Sequence, residues 1–276
     1  MTRVLVTGGT AGIGRETARG LAAKGFGVVI ACRNTAKGEQ VAREVIAATR
    51  NDKVSVMACD LASLASVRRF ATDFRTRYET LDVLVNNAGC VSLDRQLSAD
   101  GYELTFATNH LGPYLLTRLL LDVVKAAPAG RIVTVASNSH YAGNIDFQDL
   151  QHDRKYRVYQ AYCDSKLANV LFALKLARLL VGSGVTSNAL HPGTVASDIW
   201  PVSSPLLRAA ARALKPFMLS EAKGAEPSIM LAADPRLSGV NGRYYSRLRE
   251  RAPSARAQDT DLQDALWQVS EGLAGL

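Results

Sequence analysis

Val4-Leu-Val-Thr-Gly-Gly-Thr-Ala-Gly-Ile-Gly14 is the stretch that decides the fold. An apolar run passes into glycines at 8, 9, 12 and 14. It then enters Arg15-Glu-Thr-Ala-Arg-Gly-Leu-Ala-Ala-Lys24, which has helical spacing. That order predicts strand, tight turn, helix. A strand that hands over to a helix through glycines leaves unpaired N–H groups at the helix N-terminus, where the helix dipole adds positive potential. Such a place suits a phosphate, and a dinucleotide pyrophosphate over Gly8 to Gly14 is expected. The glycine spacing alone also fits an ordinary βα turn.

Working outward, apolar segments alternate with helical ones. Strands are predicted at 28–31, 54–58, 81–85, 131–136 and 185–190, with a seventh at Gly242-Arg-Tyr-Tyr245. Helices are predicted at 35–50, 63–78 with Ser63 as N-cap, 101–126, 158–180 and 221–233. Strands that are apolar throughout, with helices between them, imply one α/β domain over 1–276. It would hold a doubly wound parallel sheet of about seven strands with helices on both faces. The chain has 276 residues, 47% hydrophobic and 21% charged, ordinary for a soluble domain of this size. No apolar stretch is long enough to span a bilayer, and the first strand leaves no room for a signal or anchor, so a cytoplasmic protein is expected. Four cysteines without C-x-x-C spacing read as free thiols, and no metal site is expected. The net charge of +8 fits an anionic cofactor. No dense Lys/Arg run with interleaved aromatics points to nucleic acid.

Ligands of such sheets bind at the carboxyl ends of the strands. After the second strand comes Cys32-Arg33-Asn34, where an NAD site carries a carboxylate and an NADP site an arginine. No acidic residue stands there, and a guanidinium grips a phosphate through paired hydrogen bonds, so NADP(H) is expected over NAD(H). Asp60, after the third strand, either accepts from an adenine amine or caps the next helix. Asn86-Asn-Ala-Gly89 closes the fourth strand with residues small enough to admit a ribose. Ser137 ends the fifth strand, and the following helix carries Tyr162 and Lys166, one turn apart on one face. An ammonium beside a phenol stabilises phenolate and draws its pKa from about 10 toward neutrality. Such a phenol exchanges protons with a carbonyl or alcohol oxygen. The Tyr-x-x-x-Lys spacing alone is weak, because a chain with nine tyrosines meets it readily by chance.

Together these residues resemble the short-chain dehydrogenase/reductase family. Thr7 to Gly14 is similar to its cofactor turn, Asn86 to Gly89 to its structural motif, and Asn109 to its helical asparagine. Ser137 resembles its substrate serine, Tyr162 with Lys166 its catalytic pair, and His191-Pro-Gly-Thr194 its turn against the nicotinamide. Asn109-His-Leu-Gly-Pro-Tyr-Leu-Leu-Thr117, Ala161-Tyr-Cys-Asp-Ser-Lys-Leu-Ala-Asn-Val-Leu-Phe172, Gly184-Val-Thr and Gly242-Arg-Tyr-Tyr-Ser resemble the retinol dehydrogenase branch. Protochlorophyllide reductases and WW-domain oxidoreductases are similar. The branch's animal members usually carry an N-terminal membrane anchor, whereas this chain begins at the first strand.

The resemblance implies hydride transfer between nicotinamide and a carbonyl or alcohol, with Asn109, Ser137, Tyr162 and Lys166 catalytic. Tyr162 would deliver the proton, Lys166 would hold the ribose and depress the Tyr162 pKa, and Asn109 would hold a relay water. The cofactor would touch Gly8, Thr10, Ala11, Gly12, Ile13, Gly14, Arg33, Asp60, Leu61, Asn87, Ala88, Gly89, Tyr162, Lys166, Pro192, Gly193, Thr194 and Val195. The substrate would be a small hydrophobic aldehyde, ketone or alcohol of retinal/retinol type, and the protein a homodimer or homotetramer through its two long helices. An NADP-binding regulator without turnover is the alternative, as is a protochlorophyllide reductase-like enzyme. Residues 197–220, with Arg208, Arg212 and Lys215 on one helical face, read as a substrate lid, a membrane-surface helix or a solvated helix.

Overall fold

The computed structural model describes residues 2–195, 199 and 218–276. Strand β1 (Arg3–Thr7) leads through the glycine turn into α1 (Gly12–Ala23), and then come β2 (Gly27–Cys32), α2 (Thr35–Thr49), β3 (Val54–Ala58), α3 (Leu64–Arg77) and β4 (Val83–Asn86). The second half holds α4 (104–125), β5 (Arg131–Val135), a 3-10 turn (Asn138–Ala142), α5 (Val158–Leu179) and β6 (Thr186–His191). It closes with α6 (Glu221–Ala233), β7 (Tyr244–Ser246), β8 (Arg249–Arg251), α7 (Ala255–Gln258) and α8 (Thr260–Ala274).

The sheet runs β3-β2-β1-β4-β5-β6-β7-β8, parallel as far as β7. Its order reverses between β1 and β4, which opens a crevice at their carboxyl ends. β2 is buried at every position, as a central strand covered on both faces must be. One core layer joins the sheet to α3, α4 and α5, and the other joins it to α1, α2 and α6. Ser63 caps α3 as expected, its hydroxyl accepting from Ser66 N.

The seven parallel strands match the expected sheet, and β8 adds an eighth, antiparallel edge. Arg249, Glu250 and Arg251 are all exposed, so this strand carries no apolar alternation to read. Two further expectations need correction. The predicted helix at 101–126 starts only at Leu104. It is interrupted by a π-helical segment, Ala107–Leu111, that contains Asn109. Helix α1 begins three residues early, at Gly12, so part of the glycine turn is already helical. Most of the expected lid, 197–220, lies outside the described residues. Leu219 pairs with Val195 as an isolated parallel bridge.

The C-terminal helix α8 had no counterpart among the expected elements. Asp259 caps it by accepting from Asp261 N and Leu262 N, and Gly275 ends it at φ +67. It lies across α4 and α5. Trp267 stacks on Phe172 at 6.0 Å and meets Tyr114 edge-on at 5.0 Å, Arg118 pairs with Glu271, and Lys175 and Arg178 pair with Asp264. It thus packs against both long helices. Trp267→Ala should remove this aromatic contact and lower stability by about 2–3 kcal/mol, read as an earlier urea midpoint. An unchanged midpoint would show that α8 is not held there.

Candidate active site

At the crevice, the strand ends are fastened before any ligand is considered. Thr7 Oγ1 accepts from Asn87 N at 3.0 Å and Ala88 N at 3.1 Å, and donates to Val85 O at 3.3 Å. Asn87 Nδ2 returns a bond to Thr7 O at 2.8 Å. Gly8, at φ +67, and Gly14 fit under this clamp because they lack a side chain. A Cβ on Gly14 would sit 2.3 Å from Gly8 O and 2.4 Å from Asn87 Nδ2. Ala11, the N-cap of α1, provides no side-chain cap, and no acidic residue stands in the first turn. Those helix N–H groups therefore face the crevice without an internal acceptor.

The crevice has a volume of about 750 Å³. Gly8, Thr10, Ala11, Gly12, Ile13 and Gly14 line one end, with Arg33, Asp60 and Leu61 beyond β2 and β3. Asn87, Ala88, Gly89, Ser137, Tyr162 and Lys166 line its middle, and Pro192, Gly193, Thr194 and Val195 the far wall. Of the expected site residues only Asn109 lies behind the wall. Sequence reasoning passed over Lys37, at the start of α2, which lines the same crevice as the exposed Arg33 and adds a second cation to it. Its position four residues after Arg33, in the first turn of a helix, was the available signal. Asp60 does not cap α3, a role Ser63 fills. Its Oδ1 accepts from Ala62 N at 3.0 Å, and its carboxylate lines the crevice.

The middle of the crevice is a buried polar cluster. Tyr162 is 7% exposed and shares a side-chain hydrogen bond with Ser137. Lys166 is 3% exposed, with Nζ donating to Val135 O at 3.2 Å and lying 5.6 Å from the centre of the Tyr162 ring. Burial pushes the Tyr162 phenol up to about 12, while the bond from Ser137 pulls the other way. Burial also lowers Lys166 to about 8. The phenol is thus raised rather than depressed: loss of hydration dominates, and the opposing influence comes from Ser137, not Lys166.

Asn109 is fully buried in the π segment. Its Oδ1 accepts from Cys90 N at 2.7 Å, and Nδ2 donates to Cys90 O and to Ser165 Oγ, both at 3.0 Å. Ser165 Oγ in turn donates to Tyr162 O at 2.8 Å. Asn109 therefore stitches the turn after β4 to the helix that carries Tyr162. The extra residue per turn of the π segment accommodates such an inward-facing side chain. Cys90 lines the crevice, but burial raises its thiol and keeps it protonated.

The crevice fits a dinucleotide. Its glycine floor tolerates no Cβ at Gly14, its helix N-terminus is uncapped, and two cations stand at one end with a phenol and an ammonium in the middle. Among the described residues, no helix is long and apolar enough to cross a membrane.

Comparison with known proteins agrees with this geometry. The family model for short chain dehydrogenases matches residues 2–205. Retinol dehydrogenase 12 of Homo sapiens is 42% identical over 273 residues, which are 99% of this chain and 86% of that protein. Polyprenol dehydrogenase of Mus musculus is 43% identical over 276 residues, 98% of this chain and 82% of that protein. An uncharacterized protein from Mycobacterium paratuberculosis has a crystal structure that superposes with a TM-score of 0.79 at 35% identity, covering 100% of this chain and 94% of that one. A short chain dehydrogenase from Escherichia coli CFT073, complexed with NADPH, shares the fold with a TM-score of 0.71 at 22% identity, over 90% of this chain and 97% of that one. The chain belongs to the short chain dehydrogenase family, in its retinol dehydrogenase-like branch, and is an oxidoreductase that acts on CH–OH donors.

Proposed function

We propose that this enzyme uses NADP(H) in preference to NAD(H) and interconverts a carbonyl and an alcohol on a small hydrophobic substrate, most readily as a carbonyl reductase. The observation that carries this reading is the buried Tyr162 and Lys166 with the half-buried Ser137 beside them, in a crevice also lined by Arg33 and Lys37. When bound, the nicotinamide cofactor supplies or takes up the hydride. Gly8 to Gly14 and the N-terminus of α1 hold its pyrophosphate, and Arg33 with Lys37 holds the 2′-phosphate. Asp60, Leu61, Asn87, Ala88 and Gly89 line the adenosine and ribose positions, and Pro192, Gly193, Thr194 and Val195 form the nicotinamide wall. The relatives named for retinol and polyprenol support an apolar substrate. Ile199 and Met218 add apolar surface to the crevice.

Ser137 and Tyr162 hold the substrate oxygen. With its pKa near 12, Tyr162 keeps its proton in the free enzyme, which suits it to donate during carbonyl reduction. Lys166 lies close enough to stabilise negative charge on the phenol as that proton leaves. Asn109 acts as a positioning residue, through Cys90 and Ser165.

Three measurements test these assignments. Tyr162→Phe should cut kcat by about 10²–10⁴-fold and leave NADPH binding by fluorescence titration within about twofold. Near-normal turnover would sink the role of Tyr162. Arg33→Ala should raise KM for NADPH by about 10–100-fold and barely move KM for NADH, since a charge-assisted phosphate contact is lost only with the former. Equal effects on both cofactors would remove the 2′-phosphate contact. Lys166 is charged below its pKa of about 8 and neutral above it. The kcat/KM for NADPH should therefore be flat below about pH 8 and fall above it. Lys166→Arg, whose guanidinium stays charged, should abolish that limb. Persistence of the limb in this variant would assign it to another group.

A further inference from the structure

We propose that His140 is a positioning residue that sets the Ser137 hydroxyl and couples it to the C-terminal segment of the chain. The inference rests on the reading of Ser137 as the residue that orients the substrate oxygen. His140 lies in the 3-10 turn (Asn138–Ala142) directly after Ser137 and is fully buried. Its Nδ1 lies 2.7 Å from Ser137 O, and Ser254 N lies 3.1 Å from its Nε2. A backbone N–H only donates and a carbonyl only accepts. The imidazole is therefore neutral, with the proton on Nδ1 donated to Ser137 O and with Nε2 accepting from Ser254 N. Burial lowers the pKa of this histidine, which keeps the same form in place at neutral pH.

The ring's other neighbours fix its plane. It packs on Tyr141 at 4.1 Å and on Tyr244 at 4.8 Å between centroids. Tyr244 Oη donates to Asn138 Oδ1 at 3.0 Å, Tyr141 Oη donates to Ala252 O at 2.7 Å, and Arg256 Nη1 donates to Gly143 O at 2.9 Å. The whole turn after β5 is thus tied to residues 244–256, which lie beyond the part of the chain matched by the family model. Ser137 O takes two bonds from His140, one from the backbone N at 3.1 Å and one from the ring. The Ser137 hydroxyl accepts from Ser139 N at 3.1 Å, donates to Ser139 Oγ at 3.2 Å and shares a bond with Tyr162, so the turn that His140 holds in place also sets the hydroxyl's direction.

Asparagine places an amide nitrogen where Nδ1 stands, and glutamine places its amide where Nε2 stands. His140→Asn therefore keeps the bond to Ser137 and loses the one to Ser254, whereas His140→Gln does the reverse. The test measures kcat, NADPH binding and thermal midpoint for both variants, in wild-type and Ser137→Ala backgrounds. His140→Asn, which keeps the bond to Ser137 but loses the tie to Ser254, should lower kcat about threefold, while His140→Gln should fall about tenfold or more, both with NADPH binding within about twofold. In the Ser137→Ala background His140→Gln should cost less than about twofold further, because the two residues act through one oxygen. A loss of kcat in His140→Asn as large as that in His140→Gln, with cofactor binding intact, overturns the proposal, as does unchanged kcat in His140→Asn, and so does a loss in His140→Gln that multiplies with that of Ser137→Ala. If Ser137→Ala alone leaves kcat unchanged, the reading of Ser137 itself is wrong.

Discussion

The hydroxyl of Thr7 is the constraint on which the crevice depends. It stands where the sheet reverses its winding and two neighbouring strands send their chains to opposite faces. Strand ends that diverge in this way leave backbone N–H groups without ladder partners, and these need acceptors. Thr7 Oγ1 has two lone pairs and one proton, and Asn87 N, Ala88 N and Val85 O use all three. Asn87 Nδ2 closes the loop to Thr7 O. The clamp then dictates the glycine turn from below. Gly14 is excluded from bearing a side chain by Gly8 O and Asn87 Nδ2, whether or not a pyrophosphate lies above. The glycine pattern therefore reports packing first, and the phosphate site is what that packing leaves open.

Burial sets the electrostatics of the reacting groups. Moving Lys166 from an ordinary pKa of 10.5 to about 8 amounts to roughly 3 kcal/mol against its charged form. The fold bears this cost in a helix whose neighbouring residues Leu167, Ala168, Val170 and Leu171 are fully buried in the main core. The same low-polarity surroundings hold the proton on Tyr162. A charge that develops there during reaction meets few competing water dipoles, so the nearby ammonium acts on it more strongly than it would in water. On the proposed mechanism, the pair is arranged for a charge that appears in the transition state rather than one present at rest.

How much of this was legible in the sequence depended on whether a residue's signal was local. Strands β1 to β6 were readable because buried parallel strands are continuous apolar runs, and their ends pointed to Arg33, Asp60, Ser137 and the residues near them. Strand β8 was not, since it is an exposed edge of Arg and Glu that owes its existence to pairing with β7. The π segment around Asn109 was invisible for a similar reason: Leu104 to Lys125 has good helical periodicity, and the distortion comes from hydrogen bonds to Cys90 and Ser165, 19 and 56 residues away along the chain. The sign of the Tyr162 shift was misjudged because the spacing to Lys166 can be counted along a helix, whereas the degree of burial cannot. Helix α8 did carry local signals, an Asp259 cap and a Gly275 stop, which the sequence reading passed over.

The C-terminal residues show that the proposed catalytic set is not held by its own segments alone. α8 closes the far side of α4 and α5, so the helices that carry Asn109 and Tyr162 are buried on two faces instead of one. Residues 244–256 reach the turn after β5 from the other end of the sheet through Tyr244, Ala252, Ser254 and Arg256. A hydrogen-bonding serine needs its oxygen placed to within a few tenths of an ångström, and a five-residue 3-10 turn does not supply that rigidity alone. Here the rigidity is imported through a neutral histidine whose two nitrogens face opposite demands, a carbonyl on one side and an amide on the other. A positively charged imidazole would present two donors and repel Ser254 N–H. The burial that keeps His140 neutral is therefore part of the same arrangement that holds Ser137 in place.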